Sequence, residues 1–206
     1  MKNSKSSDRW LAEHEQDEFV RRARADGYRS RASYKLIEIN DKFQLMKNGM
    51  TVVDLGAAPG GWTQVAVKEV GSKGAVFALD VLPMDPVPGS VIIEGDFTEQ
   101  EVLEQLITAL DGLEVDLVIS DMAPNLSGMK DIDQPRAMYL VELAMQFAEE
   151  VLKPGGCLLV KCFEGEGIDT IRVFFRNNFR QLSNFKPKAS RGRSREIYIL
   201  GRGFKG

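Results

Sequence analysis

The sequence predicts an α/β fold built on a doubly wound, mostly parallel sheet. Three observations carry this. From residue 49 onward, short apolar runs alternate with longer helix-like stretches, the βαβα order of a sheet wrapped on both faces. The first run, Met50-Thr51-Val52-Val53, leads into a glycine-rich turn, Asp54-Leu-Gly56-Ala-Ala-Pro59-Gly60-Gly61-Trp62, and then a helix-like segment. Successive runs end in charged residues, and ligands of open α/β sheets bind beyond the carboxyl ends of the strands. A single acid there is ordinarily the cap of the next helix; a whole series reads better as a site.

In chain order, residues 9–25 predict an amphipathic helix, with Trp10, Leu11, Phe19 and Val20 at helical spacing. Arg21, Arg22 and Arg24 lie on its last turn, where cations suit the helix dipole, and Gly27 breaks it. Ser30 is a good N-cap for a second helix, Arg31 to Ile39, which carries Lys35. The first strand and glycine turn follow, then a helix over about 62–70. The second strand, Gly74 to Asp80, places Asp80 twenty residues past Gly60. An acid at that spacing reaches a ribose diol in nucleotide-binding folds. Val91 to Phe97 is the third strand, containing Asp96. A helix over 99–110 precedes the fourth strand, Val115 to Asp121. A helix over 136–152 ends at Lys153-Pro154-Gly155-Gly156, and Gly156 to Lys161 is the fifth strand. A helix over 168–178 and strands at Phe179–Phe185 and Arg195–Leu200 complete the chain. The expected division is an N-terminal helical extension over 1–48, packed on a core of 49–206.

The spelling of the glycine turn sets two ligand classes aside. The dinucleotide fingerprint needs glycine two residues after Gly56, where Ala58 stands, and a phosphate-binding P-loop ends in Gly-Lys-Ser/Thr, whereas Gly60 is followed by Gly61-Trp62. A nucleoside without phosphates, such as S-adenosylmethionine (SAM), fits better; a glycine-rich turn with no ligand is the alternative at this stage.

The composition is that of a soluble globular chain. At 206 residues it is long enough for one substantial core. It has no apolar run of membrane-spanning length, and Met1 to Ser7 is not followed by the apolar region of a secretory signal. A cytoplasmic location is therefore expected. Cys157 and Cys162 bracket one predicted strand, roughly 16 Å apart, too far to bridge within it. No Cys/His set has metal-ligand spacing, and His14 is the single histidine, so no metal is expected. The formal net charge of −3 hides an asymmetry: residues 1–47 carry 11 Lys/Arg against 8 Asp/Glu, residues 48–171 carry 6 against 21, and residues 172–206 carry 10 against 1. Basic ends around an acidic centre suggest a polyanionic partner held by the ends.

Taken together, Asp54 to Trp62, Ser120-Asp-Met-Ala-Pro-Asn125 and Ser194-Arg-Glu-Ile-Tyr198 resemble the FtsJ/RrmJ family of SAM-dependent RNA ribose 2′-O-methyltransferases. Ser30 to Leu36 and Val160-Lys-Cys-Phe-Glu-Gly165 extend the resemblance, which covers about Arg9 to Leu200. It implies a seven-stranded sheet with the last strand inserted antiparallel. It also implies a catalytic set of Lys35, Asp121, Lys161 and Glu196. For the cofactor it implies Gly60 and Trp62 in the glycine loop, Asp80 on the ribose hydroxyls, Asp96 on the adenine amino group, and Asp121 near the methionyl end. Chain length is similar to the bacterial branch, which methylates a uridine in the A loop of large-subunit (23S) ribosomal RNA. The implied partner is that RNA or the large subunit, acted on by a monomer. A non-catalytic RNA-binding or ribosome-assembly factor on the same fold, and a 2′-O-methyltransferase for tRNA or an mRNA cap, are the alternatives.

The implied reaction explains the residue types. A ribose hydroxyl displaces a methyl group from a sulfonium; the leaving group is good, and the nucleophile is a neutral alcohol that must lose its proton. Orientation contributes about 7–11 kcal/mol in favourable cases, and a base or a group that stabilises the developing alkoxide adds to it. A second ammonium or burial lowers a lysine's pKa and carboxylates oppose this, so the sequence leaves open whether Lys161 serves as base or as cation. Tyr198 and Phe163 are candidates for stacking on a base or for the core. Met84, Met122, Met129 and Met138 are expected to pack in the core or at a site's rim. Arg191, Arg193 and Arg195 are the first candidates for phosphate contacts, with Arg21, Arg22, Arg24, Arg29 and Arg31 as the alternative set.

Overall fold

In the computed structural model, residues 17–125 and 127–206 are described; the first part of the helix expected over 9–25, with Trp10, Leu11 and His14, lies outside them. Two helices, α1 (Glu18–Ala25) and α2 (Ser33–Phe43), precede an alternating core: β1 (Thr51–Leu55), α3 (Gly61–Val70), β2 (Ala75–Asp80), β3 (Ser90–Glu94), α4 (Gln100–Leu110), β4 (Val115–Ser120), α5 (Lys130–Val151), β5 (Leu152–Phe163), α6 (Ile168–Asn178), β6 (Phe179–Phe185) and β7 (Glu196–Phe204). The seven strands form one sheet in the order β3-β2-β1-β4-β5-β7-β6. The pairs from β3 across to β5 are parallel. β7 runs antiparallel to both of its neighbours. The strand order reverses at β1/β4, the switch point at which such sheets bind ligands.

Period-two alternation divides the core between the two faces of the sheet. Val53, Leu55, Phe77, Leu79, Val118, Leu158, Val160, Ile197 and Ile199 pack with apolar residues of α4, α5 and α6. Val52, Val76, Leu117, Ile119, Leu159, Tyr198 and Leu200 pack with Leu36 and Ile39 of α2 and Trp62, Val65, Ala66 and Val70 of α3. Helix α2 is thus a full participant in the second face. Its neighbour α1 joins through a small cluster of Ala23, Tyr34 and Ala189.

Three local expectations shift. Ser30 does not cap a helix: its Oγ accepts from Ala32 N at 3.1 Å in a preceding turn, and α2 begins at Ser33, whose Oγ donates to Gly61 O. Helix α5 begins at Lys130 rather than 136, with Pro135 inside it. Proline disfavours a helix interior and so draws a predicted start beyond itself. Here Asp133 anchors the entry, accepting from Ser127 N, Ser127 Oγ and Gly128 N. Strand β5 begins at Leu152, with an irregularity between the Val115↔Leu152 and Leu117↔Cys157 pairings that accommodates Lys153 to Gly156.

One polar residue sits inside this core. Asp54 of β1 is fully buried; Thr63 Oγ1 donates to its Oδ2 at 2.7 Å, and Oδ1 has no hydrogen-bond partner. Burial pushes the carboxyl up to about 7 from 3.8, against the Thr63 hydrogen bond and with the help of the Asp121 and Asp80 charges. The unfolded chain releases this proton near pH 4 and the folded chain near 7, so the folded state loses stability as pH rises through that window. Asp54→Asn, which has no proton to lose, should therefore gain on the wild type between pH 5 and pH 8, by on the order of 2 kcal/mol. Urea denaturation of both proteins at the two pH values checks this; a stability difference that does not change with pH would show that Asp54 does not titrate in this range.

Candidate active site

The alternation that fills the core also orients the site. Lys161 of β5 lies directly opposite Tyr198 of β7. Tyr198 belongs to the core face shared with α2 and α3, and Glu196, two residues earlier on β7, shares its side of the pleat. Asp121 follows the end of β4 on the neighbouring strand. Lys35 comes from α2, which lies over this face. Four elements distant in sequence thus deliver Lys35, Asp121, Lys161, Glu196 and Tyr198 to one place.

The set is assembled as two linked ion pairs. Lys161 Nζ lies 3.1 Å from Asp121 Oδ1 and also donates to the Asp121 carbonyl. Lys35 Nζ lies 2.8 Å from Glu196 Oε1. Between them, the Tyr198 hydroxyl donates to Asp121 Oδ1 at 2.6 Å, and the Lys35 ammonium sits 5.7 Å from the centre of its ring. Lys35 is 9% and Lys161 8% exposed, far less than solvated surface lysines. Burial alone would raise the Asp121 carboxyl; the Lys161 and Lys35 charges and the Tyr198 hydroxyl outweigh it and hold the group below the ordinary carboxylate value. Glu196 follows the same logic, with burial outweighed chiefly by the Lys35 charge beside it. The Tyr198 phenol is pushed well up by burial and by the Asp121 charge. Fully buried, Tyr198 cannot stack on an RNA base; its ring packs 5.6 Å from that of Trp62.

Beside this set, a cleft of about 600 Å³ opens at the switch point, with Gly56, Ala58, Asp80, Asp96, Asp121 and Met122 among its lining residues. Gly56 has φ of 76°, and a Cβ there would meet Met122 Cγ at 2.6 Å. Only glycine allows the first loop to pass the loop after β4 this closely. Asp80 is fixed by Ala58 N at 2.9 Å and Leu82 N at 2.8 Å. Asp96 accepts from Thr98 N and Oγ1. Three carboxylates against one guanidinium, Arg136, among the described lining residues favour a neutral or cationic ligand over a phosphate.

Gly60 and Trp62 are placed differently from the other expected cofactor residues. Neither lines the cleft. Trp62 is buried against Tyr198 and donates from Nε1 to Ala32 O at 2.8 Å. Gly60 makes room for Arg29: a Cβ there would meet Arg29 Nη1 at 2.8 Å. That guanidinium donates to the carbonyls of Pro59, Asp85 and Pro86, tying the segment before α2 to the glycine loop and the β2–β3 connection. Arg31 donates to Ala189 O and pairs with Asp17 at 3.2 Å. Two of the arginines considered for RNA are therefore engaged within the fold. Sequence reasoning missed this clamp because its acceptors are backbone carbonyls, which leave no trace in residue type. It also missed the tyrosine hydroxyl as a site member; the alternation that puts Tyr198 opposite Lys161 was the available signal.

Among the described residues no helix is long and apolar enough to cross a membrane. The family model for FtsJ-like methyltransferases matches residues 28–204. A protein of Chromohalobacter salexigens named ribosomal RNA large subunit methyltransferase E is 59% identical over 98% of this chain and 97% of its own. One of the same name from Alkalilimnicola ehrlichii is 58% identical over the same shares. A solved structure from Plasmodium falciparum, described as a ribosomal RNA methyltransferase, superposes with a TM-score of 0.79 at 30% identity, covering 87% of this chain and all of that one. With a match that spans both ion pairs and the cleft beside them, the chain belongs to the FtsJ-like methyltransferase family.

Proposed function

We propose that this protein transfers a methyl group from SAM to a ribose 2′-hydroxyl in large-subunit (23S) ribosomal RNA, on a uridine of the A loop during ribosome assembly. The observation that carries the reading is the position of Asp121. It lines the ligand cleft and is at the same time bonded to Lys161 and Tyr198, so it joins a cofactor-sized site to a buried cationic one. The names of the relatives favour large-subunit RNA over tRNA or an mRNA cap. A purely RNA-binding or assembly role would need neither the acidic cleft nor two buried lysines.

SAM in the cleft supplies a methyl group on a positively charged sulfur. With SAM bound, Asp80 would accept from the ribose hydroxyls on the lone pairs left by Ala58 N and Leu82 N, and Asp96 would accept from the adenine amino group. Asp121 would lie near the methionyl end, its negative charge secured by its lysine neighbours. Lys161 commits two of its three N–H groups to the Asp121 carboxylate and carbonyl. Its third donates to the attacking ribose oxygen and stabilises the alkoxide character that develops there. Because Tyr198 and Lys161 both engage Oδ1 of Asp121, the carboxylate stays ionised and holds Lys161 in place, and the hydroxyl proton leaves to bulk water as the methyl–oxygen bond forms and the methyl–sulfur bond breaks. The Lys35–Glu196 pair ties α2 to the start of β7 and so fixes the wall behind the reaction.

With labelled SAM and large-subunit particles or rRNA, the purified protein should label ribose; label on a base, on protein or nowhere would overturn the proposal. Asp80→Ala should weaken SAM binding by roughly 10- to 150-fold, the loss of about 1.5–3 kcal/mol of charge-assisted hydrogen bonding; unchanged affinity by calorimetry in a folded variant would remove Asp80 from the cofactor site. Lys161→Ala should lower the single-turnover methylation rate at least about 100-fold, as loss of an oxyanion donor does elsewhere, while SAM affinity stays within about threefold, under 1 kcal/mol. Equal losses in both would make Lys161 a cofactor ligand instead.

A further inference from the structure

A second cleft, of about 520 Å³, lies across α5 from the first. Helix α5 forms the wall between them. Arg136, Tyr139 and Leu140 line the cofactor cleft; Gln134, Met138 and Glu142, at helical i, i+4, i+8 spacing, line the second. Its far side is the turn after β5, Gly165 to Gly167, with Thr170 of α6 and Arg195. The second cleft opens just past the carboxyl end of β5, where Gly165 to Gly167 follow Phe163. Lys161 stands two residues, about 7 Å along the strand, before Phe163, which pairs with Glu196, and Glu164 N donates to the Arg195 carbonyl.

We infer that this cleft receives an unpaired nucleobase of the RNA substrate, at or immediately beside the methylated nucleotide; the inference rests on the ribose-methylation reading above. Its volume is within the range of about 300–1,000 Å³ typical of small-ligand sites. Its charges do not suit a phosphate: Asp131, Glu142 and Glu166 outnumber Lys130 and Arg195. They do suit the N–H groups of a base edge, and single-stranded RNA is read by bases splayed from the stack onto such groups. Gln134 is set for that reading. Its Nε2 donates to the carbonyls of Phe163 at 3.3 Å and Glu166 at 2.9 Å, so both amide hydrogens are committed and Oε1 is fixed as an acceptor. Met138 and Pro135 supply apolar surface for the base plane, and Gly167 lets α6 approach, since a Cβ there would meet Met138 Cε at 2.8 Å.

The test is a cycle between protein and RNA. The methylated position is first mapped with wild-type protein. RNAs abasic at that nucleotide or at either neighbour are then compared with intact RNA, for wild type and for Gln134→Leu. At one of the three positions, wild type should lose about tenfold or more in kcat/KM on removal of the base, the scale of one lost hydrogen bond with its desolvation. Gln134→Leu should lose a similar factor on intact RNA and little more on that abasic RNA, with SAM affinity unchanged. A merely structural role for Gln134 predicts losses that multiply, and multiplication at all three positions overturns the inference. Thr170→Trp, at an exposed position in the same cleft, provides the second variant: it should impair intact RNA and spare the abasic one, and equal impairment of both would again overturn the inference. If wild type methylates no ribose, the functional reading fails and this inference with it; if it methylates and the cycles are multiplicative, only the inference fails.

Discussion

Everything at this site depends on one buried interaction, the Lys161–Asp121 pair with Tyr198 on its shared oxygen. Removing two charges from water costs several kcal/mol per ion, and their attraction offsets this only with good geometry and further hydrogen bonds. The fold meets that condition through strand register. Tyr198 lies opposite Lys161 because β7 is antiparallel to β5, and Asp121 is adjacent because β4 is parallel to β5. A one-residue slip of β7 would turn Tyr198 and Glu196 to the other face. Such a pair is a weak source of stability, so its place here is better explained by what it holds ready: a carboxylate that stays ionised in a buried setting, and an ammonium with one proton direction left open.

The same constraint explains the antiparallel strand. In a wholly parallel arrangement the strand beside β5 would reach this end of the sheet after its helix-bearing connection, with its carboxyl end at the site. Reversal instead brings the amino end of β7 there, so Glu196 and Tyr198 enter from the first residues of the strand. Helix α2 then covers that face, burying Leu36 and Ile39 while Lys35 reaches Glu196. The helix belongs to the core by packing and to the site by charge, which is why the segment before the sheet cannot be treated as an appendage to it.

How far this was legible in the sequence depends on the residue. The strands were legible because their apolar runs end in Asp80, Asp121 and, two residues before the end of β5, Lys161. The start of α5 was not, because Pro135 argues locally against a helix that Asp133 and tertiary packing nonetheless hold. Lys35 and Glu196, read singly, look like surface charges; only their membership of a family motif marks them, since nothing local reveals that α2 crosses β7. Asp54 carries no signal of its burial either. Its place in the glycine-loop motif is visible, but that Oδ1 is left without a partner beneath α3 follows from the alternation of β1, which gives Val53 and Leu55 one face and Val52 and Asp54 the other.

The charge asymmetry of the chain reads differently once each cation is placed. Counting by sequence suggested basic ends that grip a polyanion. Yet Arg29 is held by three loop carbonyls, Arg31 by Asp17 and Ala189, and Arg172 by Glu164 and Asp169. Arg29 and Arg31 tie the N-terminal segment to the rest of the fold, Arg172 is bound within its own helix and the turn before it, and a side chain bound to the fold is not available to displace counterions from RNA. Arg21, Arg24 and Lys188 are exposed, and they frame the α1/α2 side of the molecule on which Lys35 enters the site. The positive surface is therefore smaller than the composition implies, and the acidic lining of both clefts repels a backbone that strays into them. On the proposed reading, phosphates stay at the rim, while neutral groups, a hydroxyl at Lys161 and a base edge at Gln134, suit the interior.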